Sequence, residues 1–127
     1  MRTFYMDLRL LQPSRLYISQ GKLDRLKHSA FNPFNYHNHA PLPIQRLGGT
    51  IFLTDGHTRA YSYYRSGVQA VRVYWDDDEL DMDLYETCLR WCAEEGIRWI
   101  GDLDHRVLPH EEYVEAWIHR CERAAAH

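Results

Sequence analysis

No run of apolar residues in this chain is longer than three, which excludes a membrane-spanning helix and the apolar core of a secretory leader. Cysteine is scarce: Cys88, Cys92 and Cys121 are three, an odd number, and no C-x-x-C pair occurs. With no leader, they read as reduced thiols of a cytoplasmic protein. Cys88 and Cys92 stand one helical turn apart, with His105 and His119 further on. The ligand spacing of zinc sites is nevertheless missing, so buried packing is the expectation and no metal is assigned to them. Internal repeats and low-complexity tracts are absent too, and residues 1–75 contain no glutamate at all.

What is present is a single-domain length of 127 residues and 17 aromatics, more than a disordered chain carries. The formal charge of −3 hides a division. Residues 1–75 hold ten Lys/Arg against three Asp/Glu, a balance of +7, and residues 76–127 hold five against fifteen, a balance of −10.

The basic half reads as mixed α/β. Phe4, Met6, Leu8 and Leu10 alternate with Thr3, Tyr5, Asp7 and Arg9, the period of a half-buried strand. After Leu16-Tyr17-Ile18, Ser19 is placed to cap a helix carrying Leu23, Leu26 and Ala30, ending near Phe31 because Asn32 precedes Pro33. Residues 32–42 form a Pro/Asn/His loop with His37 and His39. Pro43–Leu47, Gly48-Gly49 and Thr50–Thr54 read as a tight hairpin. A helix follows over about 57–66 with Gly67 just beyond its end, then a strand over Gln69–Trp75.

The acidic half is helical. Asp76-Asp77-Asp78-Glu79 precede a helix near 80–95 whose stripe is Leu84, Cys88 and Trp91 or Cys92, and whose end is Gly96. Pro109 suits the first turn of a last helix, with Val114, Trp117, Ile118 and Cys121 on one face. Asp76, Asp78, Asp81 and Asp83 fail the EF-hand pattern, since Asp81 stands where glycine is required and Thr87 where glutamate is. Capping and solvation of a helix start is the expected role of the run. The fold class is therefore α+β, a small mixed sheet with helices over residues 1–75, followed by an acidic helical extension, 76–127, packed on it.

Chemistry concentrates at Thr54-Asp55-Gly56-His57-Thr58-Arg59, where a strand turns into a helix. Such a turn aims unpaired N–H groups and the positive end of the helix at one spot. Gly56 permits close approach, His57 and Thr58 add donors, and Arg59 adds a planar fork for phosphate oxygens. Asp55 can cap, orient a hydroxyl or meet a Mg²⁺. The ligand expected on these grounds is an anion, and the alternative is a plain helix start.

Pro43-Ile44, the hairpin, Thr54–Arg59, Gly67 and the Val-rich strand together resemble the ParB/sulfiredoxin superfamily over roughly residues 10–75. The resemblance implies nucleotide phosphate at Gly56, His57, Thr58 and Arg59, with ATP, ADP or CTP and Mg²⁺ as candidate cofactors. Sulfiredoxins carry a catalytic cysteine where Gly56 stands, so their reductase chemistry is not expected. ParB proteins have a Gly-Glu-Arg-Arg type of motif followed by a helix-turn-helix; here a −10 segment follows, which argues against duplex DNA. The local motif is most similar to that of free serine kinases, Asp-Gly-His-His-Arg, with Thr58 in place of the second histidine. By their chemistry Asp55, beside a Mg²⁺, and His57, as acid or base, are the candidate catalytic residues of a small-molecule phosphotransferase, although the glutamate base of those kinases has no counterpart here. The competing expectation is a non-enzymatic module that binds nucleic acid or protein through the basic half, with Tyr17, Tyr36, Tyr61, Tyr63 and Tyr64 as stacking surfaces. A ParB-like nuclease lacks paired acids in residues 1–75.

Overall fold

The computed structural model describes residues 1–126, the side chain of Tyr36 lying outside the described residues. In chain order come β1 (Phe4–Asp7), a 3-10 turn (Leu8–Leu10), β2 (Ile18–Ser19), α1 (Gln20–Lys27) and a 3-10 segment (Pro33–Asn38). Next are β3 (Leu42–Leu47), β4 (Thr50–Leu53), α2 (His57–Arg65), β5 (Ala70–Trp75) and α3 (Met82–Glu94). A 3-10 turn (Ile100–Leu103), β6 (Val107–Leu108), α4 (His110–Tyr113), a π-helical stretch (Val114–Ile118) and α5 (His119–Ala125) complete it. The last three run on as one C-terminal helix. The fold is α+β: a four-stranded mixed sheet in the order β1-β5-β3-β4, a two-stranded parallel pair β2-β6, and helices around them.

Strand alternation sets the core. Val71 and Val73 of β5 lie opposite Met6 and Phe4 of β1, and Leu42 of β3 pairs with Val73 from the other side. These residues join Ile44, Leu53, Ala60, Tyr61 and Tyr63 in one buried cluster, which also takes Cys88, Cys92, Ile97, Ile100, Leu103, Tyr113 and Trp117 from the acidic half. Phe52, on the opposite face of β4, is buried against the ring of Tyr85 in α3. Burying one such side chain is worth about 1.5–3 kcal/mol, so the acidic half shares in the main source of stability.

The hairpin follows its sequence signal. Leu47 pairs with Thr50, and Gly48 takes φ +60° at the first of the two turn positions, where hairpin turns favour glycine. Helix α2 ends as Gly67 predicts: at φ +80° its N–H bonds to Tyr64, and that of Val68 to Tyr63, closing the last turn.

Four expectations shift. The first strand stops at Asp7 instead of running to Leu10, because the Asp7 carboxylate accepts the Arg9 N–H and starts a 3-10 turn. Helix α1 ends at Lys27, short of Phe31; the Ser29 hydroxyl donates to the Leu26 carbonyl and accepts the Phe31 N–H, which closes the helix. Within the acidic run Asp81 does cap α3, accepting the Leu84 N–H, and Asp83 lies in its first turn, but Asp76 leaves that role. Asp76 instead prolongs the parallel ladder, its N–H bonding to Ile44 O, and turns its carboxylate inward to 7% exposure. The C-terminal helix carries a π-helical insertion, and its fully buried residues are Tyr113 and Trp117, with Val114, Ile118 and Cys121 only half-buried. Pro109 stands just before that helix as its cap residue.

Candidate functional site

The turn between β4 and α2 is built from the glycine outward. Gly56 takes φ +77° and is the cap residue of α2, so no side chain closes the first turn. The first backbone bond inside the helix is Ala60 N–H to Gly56 O. The N–H groups of His57, Thr58 and Arg59 precede that bond, as at any helix start. A Cβ on Gly56 would stand 3.0 Å from Leu42 Cδ2 and 3.1 Å from Arg59 Nη2. Two requirements therefore hold the glycine in place: its left-handed backbone, and the guanidinium packed against it.

Arg59 lies across the turn and donates from Nη1 to Ala40 O at 2.7 Å, which ties the loop before β3 to the start of α2. Thr58 is half-buried. Asp55 stands out into solvent with its side chain 74% exposed, and Arg15 Nη2 reaches its Oδ1 at 3.1 Å.

His57 sits inside, 1% exposed, rather than at the surface of the turn. The backbone N–H of Ser14 donates to its Nε2 at 2.9 Å. The ring proton is therefore on Nδ1, which is buried without a hydrogen-bond partner. Burial pushes this imidazole well below the usual histidine range, and the positive charges of Arg15 and Lys22 push in the same direction. His57 is thus a neutral, fixed ring at the base of the turn.

Three residues that no motif announced complete the surroundings. Arg15 donates from Nη1 to the hydroxyl of Tyr113 at 2.9 Å while its other arm holds Asp55. Lys22 lies over the Tyr113 ring, 5.1 Å from its centre. Burial, followed by the neighbouring Arg15, lowers the Lys22 ammonium from its ordinary value. Tyr113 itself is buried, and desolvation raises its phenol. It can stand there because α1 and α4 begin side by side. Ser19 Oγ bonds His110 Nδ1 at 2.8 Å, and Gly21 leaves room for His110 Cβ, which would be 3.0 Å from a Cβ at that position. Two cations and the positive end of α2 therefore meet one exposed carboxylate, an arrangement that favours anions.

Below the turn, Thr54 is anchored twice: its hydroxyl donates to Asp76 Oδ2 at 2.7 Å, and its carbonyl accepts from Tyr85 OH at 2.7 Å. Beside it, a cavity of about 440 Å³ opens between Ser14, Arg15 and Thr54 on one side and α3 and the C-terminal helix on the other. Sequence spacing could not bring Arg15 or Lys22 to this place, because their partners lie tens of residues away across β2 and α4.

The remaining candidates disperse. His37 lies against Tyr5, 2.7 Å from its hydroxyl, and His39 is held by Asn32 and packed at a tilt on Phe31. Among the tyrosines read as stacking surfaces, Tyr61 and Tyr63 are buried. Tyr64 donates to Asp104 and packs on Trp99, and Tyr17 lies under Arg106. A larger concavity, about 820 Å³, lies elsewhere, between α1 and the outer face of α2.

No family model matches the chain, and a search of curated proteins gives no match. Among solved structures the chain is similar to protein Atu1540 from Agrobacterium tumefaciens, with a TM-score of 0.52 and 10% identity. The likeness covers 81% of this chain and 61% of that one, and at this identity it concerns the fold alone.

Proposed function

We propose that the protein binds a phosphate-bearing small molecule, in the first place a nucleotide, at the start of α2, in the manner the ParB/sulfiredoxin resemblance implies. The observation that carries this reading is a helix start without a side-chain cap, set on the left-handed Gly56, toward which Arg15 and Lys22 bring more positive charge than Asp55 offsets. Backbone N–H groups of His57, Thr58 and Arg59 and the guanidinium of Arg59 are the phosphate donors. The His57 ring supports the turn from below instead of touching the ligand. Asp55, exposed at the mouth, is the carboxylate for a Mg²⁺ that accompanies a nucleotide or for a substrate hydroxyl. Phosphoryl transfer asks mainly for positioning and charge stabilisation, which this set can supply, so a phosphotransferase is the reaction class in view. The competing module for nucleic acid loses support because Tyr61 and Tyr63 are enclosed in the core.

The test is thermal. ATP, ADP, CTP and inorganic pyrophosphate, each with Mg²⁺, are titrated against the intact protein while unfolding is followed. A ligand of the native state present at about 100 times its Kd adds about 2.7 kcal/mol, a rise of several degrees in Tm. Arg15→Ala and Arg59→Ala should each remove most of the rise. Equal shifts in the native protein and both variants, or no shift with any phosphate, would remove the reading.

A further inference from the structure

The cavity beside Thr54, about 440 Å³, has a size ordinary for small-molecule sites, which run to about 300–1,000 Å³. Arg15 joins it to the turn. Its Nη2 holds Asp55, its Nη1 is fixed by the Tyr113 hydroxyl, and it lines the cavity together with Thr54, the residue before Asp55. The walls from α3 and the C-terminal helix are apolar and aromatic. Tyr85 is held at both ends, its hydroxyl on Thr54 O and its ring 5.2 Å from that of Phe52. Trp117 is buried and stands edge-on to Trp91. Leu80, Leu84 and Ile118 are only half-buried, so they keep apolar surface uncovered there. Charge sets the orientation of a ligand. Among the described residues of the lining Arg15 is the one cation, whereas Glu79, Asp81 and Glu122 bring exposed carboxylates. A second anionic group inside would meet those three, so the cavity suits an uncharged body whose anionic end stays at Arg15.

We propose that this cavity is the specificity subsite of the phosphate site, and that the ligand is a phosphate ester whose uncharged, apolar or aromatic body lies against Leu84 and Tyr85. This rests on the reading of α2 as the place of the phosphate, and it narrows that reading. Inorganic phosphate and hydroxyl-rich esters fill only the anionic end and leave the apolar walls wet. An apolar body displaces water from Leu80, Leu84 and Ile118, with a gain proportional to the area it covers. In a nucleotide that body is the base. The walls that do the choosing come from residues 76–127, so the acidic half takes part in ligand selection as well as in the core.

Calorimetric titration of the full chain compares phenyl phosphate, glycerol phosphate, inorganic phosphate and phenol at about pH 8, where both esters are dianions. Phenyl phosphate should bind at least ~10-fold more tightly than glycerol phosphate or inorganic phosphate, with a negative heat-capacity change. Phenol at equal concentration should not displace it. Leu84→Gln should bring phenyl phosphate down to the level of glycerol phosphate. If that variant melts below the native protein, Leu80→Gln, which lies outside any helix or strand, takes its place. Three results overturn the subsite while leaving phosphate binding at α2 in place: equal binding of the two esters, no binding of phenyl phosphate where a nucleotide binds, or a preference that survives the glutamine variant. Displacement by phenol at equal concentration would make the cavity a separate apolar site, with no link to the phosphate, and overturns the proposal too. If neither these phosphates nor the nucleotides bind, the reading of α2 itself falls, and the subsite with it.

Discussion

His57 is the residue at which local chemistry and burial give different roles. As the second letter of a Gly-His-Thr-Arg turn it reads as a surface donor, yet position N1 of α2 directs its ring under the helix, where Ser14 N–H holds Nε2. The burden is twofold: a buried Nδ1–H without an acceptor, which costs about 1–3 kcal/mol, and a ring that resists protonation. The second has a measurable sign. The unfolded chain binds a proton at this histidine near pH 6.5, whereas the folded chain binds it only at much lower pH. Its contribution is therefore fully present above pH 6.5 and is lost as pH falls below it. The slope approaches about 1.4 kcal/mol per pH unit. Asp7 and Asp104, whose carboxyls are lowered by hydrogen bonds from Arg9 and from Tyr64 and Tyr61, lose their contributions only further down, below the ordinary aspartate value of 3.8. Denaturant unfolding between pH 6.5 and pH 4.5 should therefore show a falling stability that His57→Gln flattens. An unchanged slope in that variant would mean the ring is protonated in the fold.

At the scale of the element, what could be read ahead was what a few neighbouring residues decide among themselves. Gly48-Gly49 specified the hairpin and Gly67 the end of α2, because each turn is closed by its own backbone bonds. The end of α1 and the place of Asp76 were not legible in the same way. Ser29 competes for the Leu26 carbonyl, and Asp76 is drawn from the acidic run by Thr54, just beyond β4. The π-helical insertion likewise moves the buried face of the last helix to Tyr113 and Trp117, a step that a regular 3.6-residue period does not contain. For the site, the motif marked Gly56 and Arg59, which do pack together, but Arg15 and Lys22 come from a segment whose relation to the turn exists only after folding. The two ends of α2 make a matched pair for experiment. Gly56 and Gly67 have nearly the same φ, +77° and +80°, but only Gly56 has atoms within 4 Å of a would-be Cβ. Gly67→Ala should cost the conformational penalty alone, about 1–2 kcal/mol, and leave ligand shifts intact. Gly56→Ala should cost more, since Leu42 and Arg59 must also move. Equal losses in chemical denaturation would show that the guanidinium does not rest on the glycine.

For the whole molecule, the division into a +7 half and a −10 half is a division of charge and not of structure. The two halves are joined by pairing and by polar anchors as well as by the core. Strand β6 completes β2, Gln12 donates to Ile97 O, and Arg15 and Ser19 reach Tyr113 and His110. Asp104 accepts hydrogen bonds from Tyr61 and Tyr64 and pairs with Arg65, so part of the excess charge is offset across the boundary. Removing residues 76–127 would uncover Ile18, paired with Val107, and Phe52, packed on Tyr85, and would take both partners from Thr54 and the Tyr113 hydroxyl from Arg15. At about 1.5–3 kcal/mol for each buried apolar side chain, a few such exposures consume the 5–15 kcal/mol of a typical domain. A fragment of residues 1–75 should therefore show no cooperative thermal transition by circular dichroism, and no phosphate should induce one, because Tyr113 would no longer be there to hold Arg15 and Lys22 at the turn. A cooperative transition in that fragment would make the acidic half an appendage, and the cation pair would then need another origin.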